Sequence, residues 1–431
     1  MVGAGIAGLL AARVLSDFYS RVTILERDEL GAGIRRGVPQ ARHLHGLLDR
    51  GRAIMEELYP DCTAELVGLG ARHAEVLVDT RWYVGKARLI PTTTGLTSII
   101  ATRTLLESVL RERTRALANV ELRESISVHA LLGDADEVSG VHTVSTSGAH
   151  TLDADLVIDA SGRGSRIIEW LNAIGAALPG EERLEVDLGY ASRYYRHRDG
   201  QLGGQASVII STGANGRGGG AVHVEGDRWL VTLAGMLGDH PPIDPAEFHS
   251  YASTISAPDI HEIVTDSEPL DDPVRYRFRA SVRRRFELLS APSAGLIVLG
   301  DALCAFNPLY AQGMTVAALE AMALRDTLSA GSPTERLAAR FYAAAADHVD
   351  VAWRLAACSD LSHPGVAGAR TIRTRLTNAY VAQAHRAAHH DPGVARAFMR
   401  VAHMVEPPAA LAAPATATRI LLGGHSWRPR M

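Results

Sequence analysis

The chain of 431 residues contains only three cysteines, Cys62, Cys304 and Cys358, scattered and with no C-x-x-C pair. That scarcity excludes a disulfide scaffold and a cysteine zinc site, and it fits a reducing, cytoplasmic compartment. No run of about 18 apolar residues occurs, and no basic stretch leads into an apolar one. Neither a membrane span nor a signal peptide is therefore expected. A surplus of basic charge is also missing: the formal net charge is −4, which argues against nucleic acid as a partner. There is no internal repeat, and no Ser/His/Asp or paired-carboxylate arrangement stands out. What remains is an ordinary composition, 47% apolar and 21% charged, long enough for a large core and about two to three domains.

The order of elements alternates and is then interrupted. Residues 3–16 read as a tight loop running into an Ala/Leu-rich helix, and RVTILERD (21–28) reads as a strand ending in an acid. A Gly- and Arg-rich loop precedes a helix expected from about His45 to Tyr59. TLLESVLRERTRAL (104–117) has helical spacing, VELRESISVHALL (120–132) reads as one strand, and a hairpin leads to a buried strand at 156–160. Residues 186–235 alternate apolar and polar side chains, the pattern of antiparallel sheet. Within them GANGRGGGA (213–221) reads as a flexible hairpin loop, because no helix follows it. LIVLGDA (296–302) returns to a buried strand, a helix spans 315–329, and the chain beyond about 335 is helical and Ala/Arg-rich.

The chemistry is concentrated near the two ends of this pattern. Gly3-x-Gly5-x-x-Gly8 opens directly into a helix, and Glu26 ends the next strand 18 residues after Gly8. In such a unit Gly3 permits the turn, Gly5 lets backbone approach a pyrophosphate, and Gly8 allows close helix–strand packing. The helix start, with Ile6 and Ala7, faces the phosphates, and Glu26 accepts from a ribose diol. The same acid would repel a 2′-phosphate, which disfavours NADP here. A mobile glycine loop is the competing reading of these few residues taken alone. Only Met1 and Val2 precede the loop, so a first strand this short raises the expectation of a trimmed start or a loosely held dinucleotide.

The second constellation is GDALCAFNPLYAQGMTVAALEA (300–321), in which a buried strand delivers Asp301 and a new helix opens near Gly313 and Met314. It resembles the second flavin motif of glutathione-reductase-type flavoproteins. There the aspartate binds ribityl hydroxyls, and the helix start lies by the pyrimidine end of the flavin.

Taken together, GAGIAG, ILERD, RRGVPQARHLHGLL, DASGRGS and GDALCAFNPLYAQGMT are similar to the FAD-dependent monooxygenases of the para-hydroxybenzoate hydroxylase and squalene epoxidase type. The likeness is closest to bacterial polyketide (polyether-type) epoxidases and hydroxylases. It covers nearly the whole chain, and the spacing from Asp301 to Met314 equals that of squalene epoxidases. It implies an α/β fold with a discontinuous Rossmann-like FAD-binding domain (1–72, 101–168 and 292–330), an inserted antiparallel substrate domain (73–100 and 169–291) and a helical C-terminal region (331–431).

The same resemblance implies roles for single residues. Arg103 is directed at the FAD, Val128 meets the adenine side through its backbone, and Arg35 or Arg36 approaches ribose and pyrophosphate, with Arg27 beside Glu26. IDASGRGS stands where these enzymes carry a DG motif, with Ser161-Gly162 in place of Asp-Gly. That departure counts against direct NADPH use, so electrons come from NAD(P)H either directly or through a separate flavin reductase. No W-x-W-x-I-P is present, so halogenation is not implied.

The resulting expectation is a cytoplasmic enzyme that transfers one oxygen atom of O2, through a flavin C4a-hydroperoxide, to a hydrophobic polyketide or terpenoid by epoxidation or hydroxylation. No catalytic residue is assigned. Gln40, His43 and His45 are flavin-proximal candidates, with a structural role at a helix start as the alternative and no metal expected. Substrate candidates are Tyr190, Tyr194, Tyr195, Trp229 and Met236. Arg275, Arg277 and Arg279 read as one solvated strand face or as a docking surface for an electron donor. The alternatives for the whole chain are a reductase or dehydrogenase of the geranylgeranyl-reductase kind, and a non-catalytic binding member.

Overall fold

The computed structural model describes residues 1–423 apart from 32, 34, 36 and 332. Its first feature is a parallel sheet in which Met1 and Val2 occupy the centre. Val2 bridges in parallel to both Leu25 and Asp159. The Val2 N–H donates to Ile158 O at 2.8 Å, and Ala160 N–H donates back to Val2 O at 2.9 Å. On the other side Gly3 N–H donates to Leu25 O at 2.8 Å and Leu25 N–H to Met1 O at 2.9 Å. Strand Val22–Leu25 pairs with Val120–Arg123, and Val157–Asp159 pairs with Leu296–Val298, all in parallel. Every backbone group that these two residues offer is thus used, on one flank or the other.

Helices Ile6–Leu15 and Gly313–Ser329 cover this sheet and are buried along nearly their whole length, as their small and aliphatic side chains allow. Arg103–Arg115 packs beside the first of them, its start capped by Thr102, whose hydroxyl accepts from Leu105 N–H. These elements enclose the largest apolar core.

The second layer is an eight-stranded sheet ordered Cys304–Ala305, Val274–Arg284, Glu181–Arg196, Arg228–Gly235, Arg217–Val224, Ser207–Ile210, Thr80–Val84 and Ala87–Arg88. It is antiparallel except where Ser207–Ile210 runs parallel to Thr80–Val84. One face is covered by helices Pro245–Ala252 and Asp259–Asp266 over a core that includes Tyr195, Trp229 and Phe248. The other face looks toward the helices Thr334–Asp360, Ile372–Ala388 and Pro392–Ala402. Thr371 and Asp391 cap the last two through their side-chain oxygens.

Several local expectations change. The helix expected from His45 begins at Asp49, since 44–48 stay extended. The single strand expected over 120–132 is two: Val120–Arg123 belongs to the parallel sheet, and Ser127–Gly133 to a separate three-stranded sheet. The break falls at Ser125, whose φ of 57° no strand can hold. The glycine-rich 213–221 segment is not a loop throughout, because Gly218, Gly219 and Gly220 lie inside strand Arg217–Val224. A Cβ on Gly220 would stand 2.8 Å from Leu44 Cδ1, and one on Gly219 2.6 Å from Thr232 O. Glycine there lets other chain segments approach the strand closely.

Candidate active site

A single cavity of about 1650 Å³ runs from the glycine loop, past the start of helix Gly313–Ser329, to the wall formed by the large sheet and the C-terminal helices. A typical single-ligand pocket holds roughly 300–1,000 Å³. The space therefore admits more than one bound molecule.

At the first end the three motif glycines have three different surroundings. A Cβ on Gly3, whose φ is +97°, would stand 2.6 Å from Ala160 O; one on Gly8 would stand 2.0 Å from Gly3 O. Gly5 differs, since its nearest neighbour would be Arg35 Nη2 at 3.9 Å, in the cavity. No side chain caps helix Ile6–Leu15, so the N–H groups of its first turn face the cavity with the helix dipole behind them.

Beneath the loop lies a chain of buried charges. Glu26 Oε2 accepts from Ala4 N–H at 2.9 Å and from Arg35 Nη1 at 2.7 Å. Arg35 Nη2 donates to Glu107 Oε2 at 2.7 Å, and Arg103 Nε donates to Glu107 Oε1 at 2.7 Å. Glu107 was not foreseen; its i+4 spacing from Arg103 was the available signal. The two arginines hold its carboxyl below the usual range despite burial. Arg27 and Val128 also line this end. Arg36 lies outside the described residues.

Asp301 lies on the cavity wall close to helix Gly313–Ser329, its Oδ1 3.7 Å from where a Gly313 Cβ would be. Burial raises its carboxyl pKa, against the pull of Arg163 and Arg103. Gly313 and Met314 open the helix into the same space, again without a side-chain cap. Gln40 Oε1 and Gln312 Oε1 are buried on the lining without a hydrogen-bond partner. Gln312 belongs to the same motif as Asp301 but was not singled out.

The two histidines are neutral and fixed. His43 Nδ1 lies 2.7 Å from Ser192 Oγ, which lies 2.6 Å from Thr232 Oγ1; that oxygen accepts from Leu44 N–H at 2.9 Å. Burial, aided by Arg42, lowers the His43 pKa to about 4. His45 Nδ1 bonds its neighbour's carbonyl, His43 O, at 2.9 Å; burial and then Arg103 lower its pKa to about 3. Both line the cavity. The His43 ring lies 5.4 Å from the Tyr276 ring and 6.0 Å from that of Tyr190.

Of the aromatic and methionine candidates, only Tyr190 reaches the cavity. Tyr195 and Trp229 point to the opposite face of the sheet and fill the core under the two short helices; the Trp229 indole N–H donates to Gln201 Oε1 at 2.8 Å. Tyr194 packs with Leu44, Val222 and Leu230, and Met236 with Val186 and Phe278. The strand period of two separates Tyr190 from Tyr195, and the alternation was not used to divide the candidates. Arg275, Arg277 and Arg279 are exposed on the outer side of their strand, and Arg277 pairs with Asp187 at 2.8 Å. On the inner side Tyr276 and Phe278 line the cavity, with the Arg163 guanidinium 5.1 Å and 5.3 Å from their ring centroids.

The wall from the C-terminal helices was missed altogether. Leu355, Thr377, Val381, Phe398 and His403 contribute to it. The amphipathic pattern placed these helices against a core but could not say that part of the inner face borders a void. His197, His223 and Asp227 form the one cluster of three metal-ligating groups among the described residues. The two imidazoles stack at 3.7 Å with planes 12° apart. Parallel planes keep their in-plane lone pairs from meeting at one ion.

Comparison with known proteins gives the family and the fold. The family model described as FAD binding domain matches residues 1–359. Protein Rv3254 of Mycobacterium tuberculosis (strain ATCC 25618 / H37Rv) is 32% identical over 416 residues, covering 93% of this chain and 88% of that one. Squalene epoxidase 2, mitochondrial, of Arabidopsis thaliana is 24% identical over 345 residues, 76% of this chain and 53% of that one. Among solved structures, p-nitrophenol 4-monooxygenase PnpA from Pseudomonas putida DLL-E4 superposes with a TM-score of 0.65 at 17% identity, covering 94% and 97% of the two chains. At that identity the likeness is one of fold.

Proposed function

This chain belongs to the FAD binding domain family, with the fold of FAD-dependent monooxygenases, and we propose that it inserts one oxygen atom of O2 into a hydrophobic substrate by epoxidation or hydroxylation. The observation that carries the reading is the single cavity, which joins the glycine loop to an apolar wall and is too large for one ligand.

The residues fit FAD. Gly5 and the uncapped start of helix Ile6–Leu15 take the pyrophosphate, with Arg35 beneath it. Glu26 would accept from the ribose diol through Oε1, whose one hydrogen bond among the described residues is from Asp28 N–H at 3.1 Å. Asp301 would accept from the ribityl chain, and the start of helix Gly313–Ser329 would stabilise negative charge on the ring. The unpartnered Gln40 and Gln312 oxygens are acceptors for the ring's N–H groups or for ordered water.

Bound FAD supplies the electrons and the activation of O2. The protein places the substrate and keeps water out. Tyr190, Tyr276 and Phe278 line one wall of the cavity, and residues of the C-terminal helices line the other. His43, neutral and held by Ser192, orients rather than titrates near neutral pH. Epoxidation requires no protein base, consistent with this lining.

Electrons come from NAD(P)H, directly or through a flavin reductase. Ser161 stands where the resembling enzymes carry an aspartate, and its N–H and hydroxyl are both donated to Asp159, at 2.9 Å and 2.5 Å. This supports the reductase. The experiment is anaerobic reduction of FAD-loaded protein in the presence of candidate alkenes and phenols, followed by admission of air. Product that forms only after air enters supports an oxygenase. A saturated product formed before air enters identifies a reductase instead.

A further inference from the structure

Two arginines of the helical wall face the cavity with no carboxylate partner among the described residues. Of the other guanidinium groups that line it, Arg35 has Glu26 and Glu107, Arg103 has Glu107, Arg166 has Glu169, and Arg163 lies over the Tyr276 and Phe278 rings in the field of Asp301, while Arg27, at the glycine-loop end, makes no ion pair among the described residues. Arg354, on helix Thr334–Asp360, and Arg373, on helix Ile372–Ala388, both line the cavity and make no ion pair or hydrogen bond among the described residues. Cys358 lines the cavity with them, and both pull its thiol pKa down against the rise that burial imposes. Thr374 and Thr377 hydroxyls stand on the same wall, while Asn378 is spent on the Cys358 carbonyl at 2.8 Å.

No acid of the lining answers them. The carboxylates that border the cavity are Glu26, already bound to Arg35, and Asp301, which lies in the field of Arg163 and Arg103. Both side chains are exposed, so water screens part of their mutual repulsion, and an anion placed between them is attracted by both. The guanidinium fork matches a carboxylate or a phosphate through paired N–H donors, in a way no apolar group can replace.

We propose that Arg354 and Arg373 bind an acidic group, carboxylate or phosphate, carried by the otherwise hydrophobic substrate. The inference rests on the reading of this cavity as a substrate site and narrows the substrate to an amphiphile with an anionic end. The acidic end anchors on the helical wall, and the apolar body lies along Tyr190, Tyr276 and Phe278.

The test is calorimetric titration of FAD-loaded wild-type protein with decanoate and with decan-1-ol, without reductant, so that its outcome does not depend on oxygen transfer. Decanoate is expected to bind about tenfold or more tighter than the alcohol, and the preference should shrink in high salt. In Arg354→Gln/Arg373→Gln the preference should fall to about one, with alcohol binding and FAD affinity unchanged. Arg336→Gln, an exposed change on the same helix, controls for net charge and should keep the preference. Decyl phosphate run in parallel identifies the anion: tighter than decanoate assigns phosphate, weaker assigns carboxylate. An equal preference in wild type and double variant overturns the proposal, as does a loss of FAD affinity with the preference intact.

Discussion

Arg35 Nη1 donates to Glu26 Oε2 at 2.7 Å, with both side chains about 5% exposed. Glu26 also holds Ala4 N–H of the glycine loop, so one carboxylate ties the loop to the arginine beneath it. Breaking a buried ion pair by removing one partner costs about 3–5 kcal/mol. Glu26→Ala should therefore lose on the order of 3 kcal/mol in urea unfolding and release FAD. Glu26→Gln should lose less, because its amide oxygen can still accept from Ala4 N–H. Equal losses in the two variants would mean that the loop contact contributes nothing.

The three motif glycines should separate by phenotype. Gly3→Ala and Gly8→Ala drive a Cβ into backbone oxygens at 2.6 Å and 2.0 Å, so each should cost about 3 kcal/mol or more and yield little folded protein. Gly5→Ala points into open cavity and should cost at most about 1 kcal/mol as an N-cap change. FAD affinity should nevertheless fall on the order of a hundredfold, because the added group occupies the path of the pyrophosphate. Thermal melting of the apoprotein beside FAD fluorescence quenching reads both effects.

Tyr190 and Trp229, which looked equivalent in the sequence, should behave oppositely. Tyr190→Ala opens the cavity wall and should change substrate binding more than stability. Trp229→Ala empties a fully buried site and orphans Gln201, a change that should cost about 3–5 kcal/mol. Substrate affinity in any Trp229 variant that still folds should remain near wild type.

Glu320 sets a pH dependence. It is fully buried on helix Gly313–Ser329, accepts from Gly300 N–H at 2.6 Å, and is pushed up to about 8 by burial, with Asp301 adding to the rise. A carboxyl raised above its unfolded value of about 4.5 holds its proton in the native state, so stability falls as pH rises from there toward 8. Glu320→Gln is neutral throughout and keeps the acceptor. The melting temperature of wild type relative to this variant should drop between pH 6 and pH 9. A constant difference would show that Glu320 does not titrate in this window.

Much of the architecture was legible because it rests on local signals. Glu26 at a strand end and Asp301 before a second glycine-containing turn placed the parallel sheet and both helix starts on one cavity. That Met1 and Val2 pair on both flanks was not legible, because strand length in sequence says nothing about how many backbone bonds a central position makes. Gly218–Gly220 misled for a related reason: glycine suggested a loop, whereas the strand needs its bare backbone for Leu44 and Thr232 to approach. Tyr195 and Trp229 failed as substrate candidates through strand alternation, which was readable but unused. The helical wall with Arg354 and Arg373 could not be read at all, since which helix face borders a void depends on packing between segments more than a hundred residues apart.

The most direct measurement is a single turnover of reduced, FAD-loaded protein under ¹⁸O₂ with anionic alkenes and phenols of polyketide or terpenoid type. The account predicts product carrying one labelled oxygen atom, formed in proportion to the flavin oxidised. Conversion of the same compounds to saturated, unlabelled product would contradict it.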